Sequence, residues 1–304
     1  MANSLSTPIS TTYAGEYGKK IISAALLSGN TIQNGGIEVK PNIKYKEVMK
    51  KISSDDIVKN ADCDFNGTST ITLTERILQP EEFQVNLELC KKDFHSDWLS
   101  VEQGFSAHDN LPTSFADFLV GHAAAKVAQK MEQNIWGGVN ATEGEFDGLT
   151  VLMAADSDVI DATTTETSIT ASNVVGELEK VLAAVPNTIY SQDDFSIYVP
   201  INVAKAYIQA QATLGYLDRF NVGRTELNFQ GVPLFVANGM PSDHMVAAEK
   251  SNLFFGTGVL ADMSEVKVID MADYDGSQNV RIIMRFTAGV QYGIGSDAVL
   301  YTLA

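Results

Sequence analysis

Residues 228–241, NFQGVPLFVANGMP, are the part of this sequence that says most about its fold. The segments Thr225–Phe229 and Val232–Val236 are both suited to strands, and only Gln230 and Gly231 separate them. Two residues are the commonest connection of a β-hairpin. The sequence therefore predicts a strand pair around this turn.

The residues before this hairpin predict a strand between two helices. Phe195–Val199 has the β-branched and aromatic residues typical of a strand. Pro200 follows at the first turn of a helix, where its missing N–H costs nothing, and Val203–Ala212 continues that helix. An earlier helix is predicted over Asn173–Val185, where apolar residues recur on one face, and Pro186 ends it. Together these segments indicate a compact α+β domain.

The residues after the hairpin predict further strands. Asn252–Thr257 is a short apolar run, and 266–268 alternates between apolar and polar residues. Asp275-Gly276 is a hairpin signal, and the alternating segment Val280–Phe286 follows it. A last strand is predicted over Ala298–Leu303.

The N-terminal part of the chain is predicted to be extended. Residues 1–13 are rich in Ser and Thr, carry no charged side chain and show little periodicity, so they are expected to form an arm. A short helix is predicted over 14–28, where apolar residues share one face and Gly29 ends it.

Residues 36–90 predict half-buried antiparallel strands, because apolar and polar side chains alternate there with a period of two. The alternating segments are Ile37–Lys40, Ile43–Lys46, Ile71–Thr74 and Phe83–Cys90. Between them, the polar stretch Ser53–Gly67 has little apolar material to fold onto. We therefore expect a long hairpin whose outer part rests on a partner.

Residues 113–136 contain the clearest helix pattern of the sequence. Apolar residues recur every four positions and form a slanted stripe: Phe115, Leu119, Ala123, Val127, Met131 and Ile135. Such a helix would be ~35 Å long, and Gly137-Gly138 ends it. Leu119 and Val127 are expected to face a sheet. His122, which falls between the apolar positions, is expected to be a packing histidine.

Three motifs resemble ligand-binding loops but lack a required feature. Gly15–Lys20 has neither the spacing nor the Ser or Thr of a phosphate loop. Gly293–Ala298 matches a dinucleotide fingerprint, but a strand is predicted where a helix is required. Asp62–Gly67 matches half of a calcium loop, but Leu73 stands where the bidentate Glu should be. Since the four histidines have no metal-binding spacing either, the sequence predicts no catalytic residue, no metal site and no cofactor.

Charge is distributed unevenly along the 304 residues, which have a formal net charge of −17. Residues 1–60 carry eight Lys and five acidic residues, whereas the rest carries 13 basic and 33 acidic residues. An acidic body repels phosphate groups and other copies of itself. A basic segment could meet the acidic surface of another copy. The candidate contact residues are Lys40, Lys44, Lys46, Lys50 and Lys51.

The order of these segments resembles the major capsid protein family of tailed bacteriophages. That family has the Hong Kong 97-type fold, which encapsulin shells also use. Gly231–Leu234 followed by Met240-Pro241 is similar to the axial domain of the family. Asn252–Thr257 resembles the strand that follows, and Asn279–Phe286 resembles the closing strand. The resemblance covers nearly the whole chain, and it consists of the order of the segments and of loosely matching sequence patterns.

The resemblance implies an α+β subunit built in five parts. These are an N-terminal arm at 1–35, an extended β-hairpin loop at 36–90, a peripheral domain at 91–159 with a spine helix at 113–136, an axial domain at 160–262, and return strands of the peripheral domain at 263–304. No coiled-coil scaffolding segment precedes the arm, so a separate scaffold, or none, is expected.

The implied function is that of a shell subunit rather than an enzyme. Its partners would be many copies of itself in hexamers and pentamers, portal and scaffolding or decoration proteins, and packaged genomic DNA on the inner face. It would be made in the bacterial host cytoplasm and reside in the virion. No membrane partner is expected, because no apolar run approaches the ~18 residues of a span. Two alternatives stay open: an encapsulin-type compartment shell, and a soluble α+β enzyme.

Overall fold

The computed structural model describes residues 30–41, 43, 45–54, 58, 60, 63, 71–90, 113–213, 227–257 and 266–304. This part of the chain is a mixture of helices and strands. The helices are α1 Asn30–Gln33, α2 Thr113–Gly137, α3 Leu149–Ala154, α4 Val174–Ala184, α5 Asn187–Tyr190, α6 Ile201–Thr213 and α7 Ala272–Asp275. The strands are β1 Glu38–Lys40, β2 Glu47–Ser54, β3 Ile71–Leu78, β4 Glu81–Cys90, β5 Ile160–Ala162, β6 Phe195–Val199, β7 Leu227–Phe229, β8 Val232–Val236, β9 His244–Glu249, β10 Leu253–Gly256, β11 Val266–Asp270, β12 Asn279–Tyr292 and β13 Ala298–Thr302.

These elements form two compact units. The smaller unit takes its described residues from 84–129 and 264–285, and the larger takes them from 29–83, 130–263 and 286–304. The helix α2 and the strands β4 and β12 each contribute residues to both units. Each unit is therefore assembled from segments that are distant in the sequence.

The larger unit is built around a six-stranded sheet with the strand order β5-β13-β9-β6-β8-β7. β9 pairs antiparallel with both β13 and β6, whereas β8 lies parallel to β6 and antiparallel to β7. The helices α4 and α6 share one hydrophobic core with this sheet. Fully buried members of that core include Leu178, Ile197, Val203 and Val299. Burial of these side chains supplies the main driving force for folding this unit.

The local sequence explains where the elements of this sheet begin and turn. Pro200 directly precedes α6, and its carbonyl accepts the N–H of Ala204 at 3.1 Å. At the start of a helix the backbone N–H has no partner within the helix, so the missing N–H of proline interrupts no helical hydrogen bond. Gln230 and Gly231 have φ angles of 47° and 90°. This left-handed pair suits the tight hairpin turn that joins β7 to β8. The predicted strand pair and the predicted helix after Pro200 are both confirmed.

A second sheet has the order β1-β10-β12-β11, and β4 also pairs with β12. In the larger unit β10 pairs antiparallel with the second half of β12, and in the smaller unit β11 pairs antiparallel with its first half. The prediction that 37–40 pairs antiparallel was wrong. β1 lies parallel to β10, with Val39 opposite Phe255. Alternation indicates a half-buried strand, but it carries no information on strand direction.

Two other strand predictions were wrong in detail. In Ile43–Lys46 the described residues are not in a strand. Ile43 instead extends the path of β1, since its N–H donates to the Thr257 carbonyl at 3.1 Å, and the next strand, β2, was not predicted. The connection from β11 to β12 is longer than a two-residue turn, because α7 occupies it before Gly276 adopts a φ of 72°.

The helix α2 matches the predicted long helix to within one residue at its end. Its stripe is buried at Ala123, Met131 and Ile135 and half-buried at Val127. His122 was predicted to pack inside, but it is exposed. One residue of a helix corresponds to a rotation of ~100°, which carries His122 away from the stripe that passes through Ala123.

Several sequence predictions lie outside the described residues. They include the arm at 1–13, the helix at 14–28 and, apart from Cys63, the Asp62–Gly67 motif. The side chain of Leu119 also lies outside them. These four therefore stay predictions.

Candidate functional site: the outer face of the β2–β3 hairpin

The strands β2 and β3 pair antiparallel over their whole lengths, beginning with Glu47 opposite Leu78. Directly opposed residues point to the same face of a sheet, and every second residue along a strand shares that face. One face therefore carries six residues whose side chains the structure describes, which we call the outer hairpin face: Val48, Lys50, Ile71, Leu73, Glu75 and Ile77. The opposite, inner face carries Arg76 and Leu78.

The outer hairpin face is apolar and open to solvent. Ile71 is 74% exposed, Leu73 52%, Ile77 47% and Val48 45%. Single exposed apolar residues are ordinary, but four on one face of a two-stranded ribbon form a patch. Removing apolar area from water releases about 25 cal/mol per Å². This face would therefore be stabilised by a partner that covers it.

An ion pair lies within the same face. Lys50 Nζ and Glu75 Oε1 are 3.7 Å apart, and their side chains are 59% and 51% exposed. Such exposed pairs contribute only ~0–1 kcal/mol, and their charges cancel. Beside the hairpin, Tyr45 is 71% exposed and the Nζ atom of Lys46 lies 5.2 Å from its ring centroid. The surface is thus apolar and nearly neutral, with one basic group at its border.

The inner face fixes the base of the hairpin to the larger unit. Leu78 is fully buried, and any Cβ at Gly256 would lie 2.9 Å from the side chains of both Leu78 and Ile43. Next along β3, Arg76 is ion-paired with Asp156. The hairpin is therefore buried at its base and exposed along its outer face.

The structure places the candidate lysines on different elements. Lys40 lies on β1, where its Nζ is 2.8 Å from Glu38 and 5.2 Å from the Phe254 ring centroid. The hydrogen bond to Glu38 raises the pKa of Lys40. Lys40 and Lys50 thus each form an ion pair with an acidic group of their own chain.

The other candidate lysines are described less fully. Lys46 lies at the entrance of β2, beside Tyr45. Lys44 and the side chain of Lys51 lie outside the described residues. Whether any of the five contacts a neighbouring subunit stays a prediction.

A buried carboxylate holds the segment that leads into β1. Glu132 of α2 is 3% exposed and accepts the N–H of Thr31 at 3.0 Å and its hydroxyl at 2.5 Å. Trp136 Nε1 donates to the same hydroxyl at 2.9 Å. Burial raises the pKa of Glu132, and hydrogen bonds from Thr31, Gly239 and Asn30 oppose that shift. The helix α1 is therefore tied to the larger unit by polar bonds inside its core.

Sequence reasoning missed several residues of this site. Val48 was missed because β2 was not predicted, since Met49, Lys50 and Lys51 interrupt the alternation of apolar and polar residues between Val48 and Ile52. No sequence pattern pointed to Arg76 or Asp156, since the two are 80 positions apart.

Side chains that could bind a metal are scattered in the described part of the chain. There, no group of three or more His, Cys, Asp and Glu side chains is placed to hold an ion. His244 Nδ1 lies 2.8 Å from Asp243 Oδ1, which is a pair and not a three-ligand set. Among the described helices, none combines the length and apolar character that a membrane crossing requires.

Solved structures show what this fold is similar to. The capsid of a native GTA particle aligns with 91% of this chain and 90% of its own, at 11% identity and a TM-score of 0.64. The capsid structure of the cyanophage P-SCSP1u aligns with 100% of this chain and 93% of its own chain, at 10% identity and a TM-score of 0.56. A chain of the procapsid of satellite phage P4, a structure that includes the size determination protein, aligns with 93% of this chain and 98% of its own length. The identity is 11% and the TM-score is 0.54. The chain therefore has the mixed α+β fold of phage capsid proteins. No family model and no curated protein matches the sequence.

Proposed function

We propose that this chain, with its phage capsid fold, is the major capsid protein of a tailed bacteriophage. It is a structural subunit rather than an enzyme. Copies of it assemble into the hexamers and pentamers of an icosahedral head that encloses double-stranded DNA. The observation that carries the proposal is the outer hairpin face, an apolar surface without a described cover on a chain of this fold.

A second copy of the chain is the partner that best explains this surface. A two-stranded ribbon is at best marginally stable by itself, and ordering it costs ~1–2 kcal/mol per residue in backbone entropy. Contact with a neighbouring subunit would offset that cost by burying Ile71, Leu73 and Ile77. When such a contact joins two different surfaces of successive copies, it forms a ring if the rotation from one copy to the next closes.

We assign the parts of the chain accordingly. The arm is 1–35, the extended hairpin loop 36–90, the peripheral domain 91–159 together with 263–304, and the axial domain 160–262. In support, β2 and β3 pair as one antiparallel hairpin within 36–90, and within 160–262 the strands β6 to β9 share a sheet whose core includes α4 and α6. The return segment also reaches the sheet assigned to the axial domain, because its last strand, β13, pairs with β5 and β9 there.

The remaining partners follow from the shell function. The protein is made in the host cytoplasm and is incorporated into the virion with a portal and with scaffolding or decoration proteins. Packaged DNA faces the inner surface. Some of Lys40, Lys44, Lys46, Lys50 and Lys51 reach acidic groups on an adjacent subunit, whose residues beyond position 60 carry 33 acidic side chains.

Assembly of the purified chain tests this function. The unchanged protein should form rings or particles in sedimentation and electron microscopy, whereas an enzyme would behave as a compact monomer. Leu73→Asp places a carboxylate in the outer hairpin face. It should prevent particle formation while leaving folded subunits, because burying an unpaired charge is costly.

Val139→Asp provides the matched control. Val139 is 41% exposed and lies after α2, outside the hairpin, so this variant should assemble like the unchanged chain. Equal assembly of Leu73→Asp would contradict the role of the outer hairpin face. An unchanged chain that stays monomeric at every concentration would contradict the shell function.

A further inference from the structure

A charged contact holds β3 to the rest of the larger unit. Arg76 is ion-paired with Asp156, which follows α3, and its guanidinium carbon lies 4.3 Å from the centroid of the Tyr292 ring. The Tyr292 hydroxyl donates to Asp156 Oδ2 at 2.7 Å, and the N–H of Asp158 donates to Oδ1 at 3.0 Å. One carboxylate thus joins three separate parts of the chain.

The contact is sheltered and closely fitted. The side chains of Arg76 and Asp156 are only 26% and 19% exposed. Any Cβ at Gly295 would lie 2.9 Å from Asp156 Oδ2 and 3.1 Å from Arg76 Nη2, so the chain passes close over the pair. A planar guanidinium can bind a carboxylate and stack on an aromatic ring at the same time, which a lysine ammonium cannot. These features distinguish the contact from a chance surface ion pair.

Arg76 lies between the buried base of the hairpin and its exposed outer part. On the base side Leu78 is fully buried, and on the outer side Glu75 pairs with Lys50 of the same hairpin. Farther out Ile71 is 74% exposed. At ~3.3 Å per residue the strand from Arg76 to Ile71 spans ~17 Å, so a tilt of ~10° at Arg76 would move Ile71 by ~3 Å.

We propose that Arg76, Asp156 and Tyr292 form a positioning joint that sets the direction of the hairpin and so places the outer hairpin face against a neighbouring copy. The inference rests on the proposed shell function. Apolar contacts are lost beyond ~4.5 Å between atoms, so a displaced hairpin would fail to dock even on a folded subunit. Arg76 is thus a positioning residue that acts through the outer hairpin face.

Arg76→Ala and Asp156→Asn each remove one side of the ion pair. In both variants the yield of particles should fall by about tenfold or more, while hydrogen exchange of the β3 amides becomes faster. Lys180→Ala is the control, because it removes an ion pair of the same unit, the one with Glu177 on α4, that lies outside the hairpin. It should leave the yield close to that of the unchanged chain. If Arg76→Ala does not fold, Arg76→Lys is used in its place, because this variant keeps the charge and loses the stacking on the Tyr292 ring.

Leu178→Ala separates positioning from general stability. Leu178 is fully buried in the core of the six-stranded sheet, and its truncation lowers the Tm without altering the joint. When each variant is assayed at a temperature the same number of degrees below its own Tm, Leu178→Ala should assemble and Arg76→Ala should not. Normal yield from Arg76→Ala, or equal losses in the two variants, would overturn the joint. Absence of particles from the unchanged chain would instead overturn the shell function, and the β3 exchange rates would still report on the joint.

Discussion

Asp156 and Glu132 are both sheltered carboxylates, yet their surroundings shift the pKa in opposite directions. Burial raises the pKa of Asp156, but hydrogen bonds from Tyr292, Asp158 and Arg76 outweigh burial, so the pKa lies below its ordinary value. At Glu132 burial prevails and the pKa lies above its ordinary value. The difference follows from the partners, because Asp156 faces a cation whereas the donors to Glu132 are neutral.

The lowered pKa makes Asp156 a source of acid sensitivity. Its charged form is favoured in the folded state, so its stabilising contribution is complete above the unfolded pKa of about 3.9 and is lost as pH falls through the lower, folded pKa. Asp156→Asn cannot titrate. Its Tm should therefore lie below that of the unchanged chain at about pH 7, and the gap should close toward about pH 3. Calorimetry across this range measures the gap.

Glu249→Gln is the control of opposite sign. Burial, together with the charges of Asp194 and Asp297, raises the pKa of Glu249. Its ionised form therefore opposes folding, and the glutamine variant should be the more stable one at about pH 7 and lose that advantage in acid. A gap for Asp156→Asn that stays constant with pH would show that its carboxylate is not favoured as the charged form.

At the scale of elements, the loop from β8 to β9 approaches α2 so closely that only glycine fits. A Cβ at Gly239 would lie 2.0 Å from the carbonyl oxygen of Glu132 and 2.7 Å from the N atom of Gln133. Both are backbone atoms of a helix, which cannot move aside as a side chain can. Gly239→Ala should therefore lower the free energy of unfolding by about 1–3 kcal/mol, as measured by urea denaturation.

Gly176→Ala is the matched substitution for comparison. Gly176 lies within α4, and apart from the adjacent residues and backbone of that helix a Cβ there would meet no atom within 4 Å. Alanine should stabilise that helix by about 0.5–1 kcal/mol, because glycine loses more backbone entropy on folding. Opposite signs for the two variants are expected. A stabilising Gly239→Ala would mean that the loop and the helix are not in close backbone contact.

The elements that the sequence predicted well are those whose signals are local. The stripe of α2, the strand β6 before Pro200, and the Gln230-Gly231 turn each depend on residues within one element. The parallel pairing of β1 with β10 was not predictable, because alternation is the same in parallel and antiparallel strands at a half-buried edge. Strand direction is decided by a partner from a distant part of the chain.

The candidate site was predictable only in outline. Alternation at Ile71 and Leu73 located a strand of the hairpin, but it implied half-burial, whereas both side chains are more than half exposed. A single sequence shows which residues share a face and not whether that face is covered. The bond from Thr31 to Glu132 joins residues 101 positions apart, and the ion pair of Arg76 is similarly distant. Neither has a local pattern.

Over the whole molecule, charge opposes the assembly that we propose for the outer hairpin face. Each copy carries a net charge of −17, and like-charged bodies repel each other in a closed shell. Residues 1–60, with eight Lys and five acidic residues, are the basic part of the chain. Lys40 and Lys50 already pair with Glu38 and Glu75. Lys46, which lies beside the exposed ring of Tyr45, is therefore the described candidate best placed to relieve repulsion from a neighbour.

Lys44→Glu combined with Lys46→Glu should impair the formation of empty particles in the absence of DNA. The loss should be greater at low salt, because the Debye length grows from about 8 Å at 0.15 M to about 30 Å at 0.01 M. Lys126→Glu with Lys205→Glu makes the same change in net charge at exposed positions on α2 and α6. This second pair should impair assembly less, since exposed ion pairs act through number and register rather than through net charge alone. Equal impairment by both pairs would mean that total charge decides. Normal empty particles that fail only to retain DNA would mean that Lys44 and Lys46 face the genome and not a neighbouring subunit.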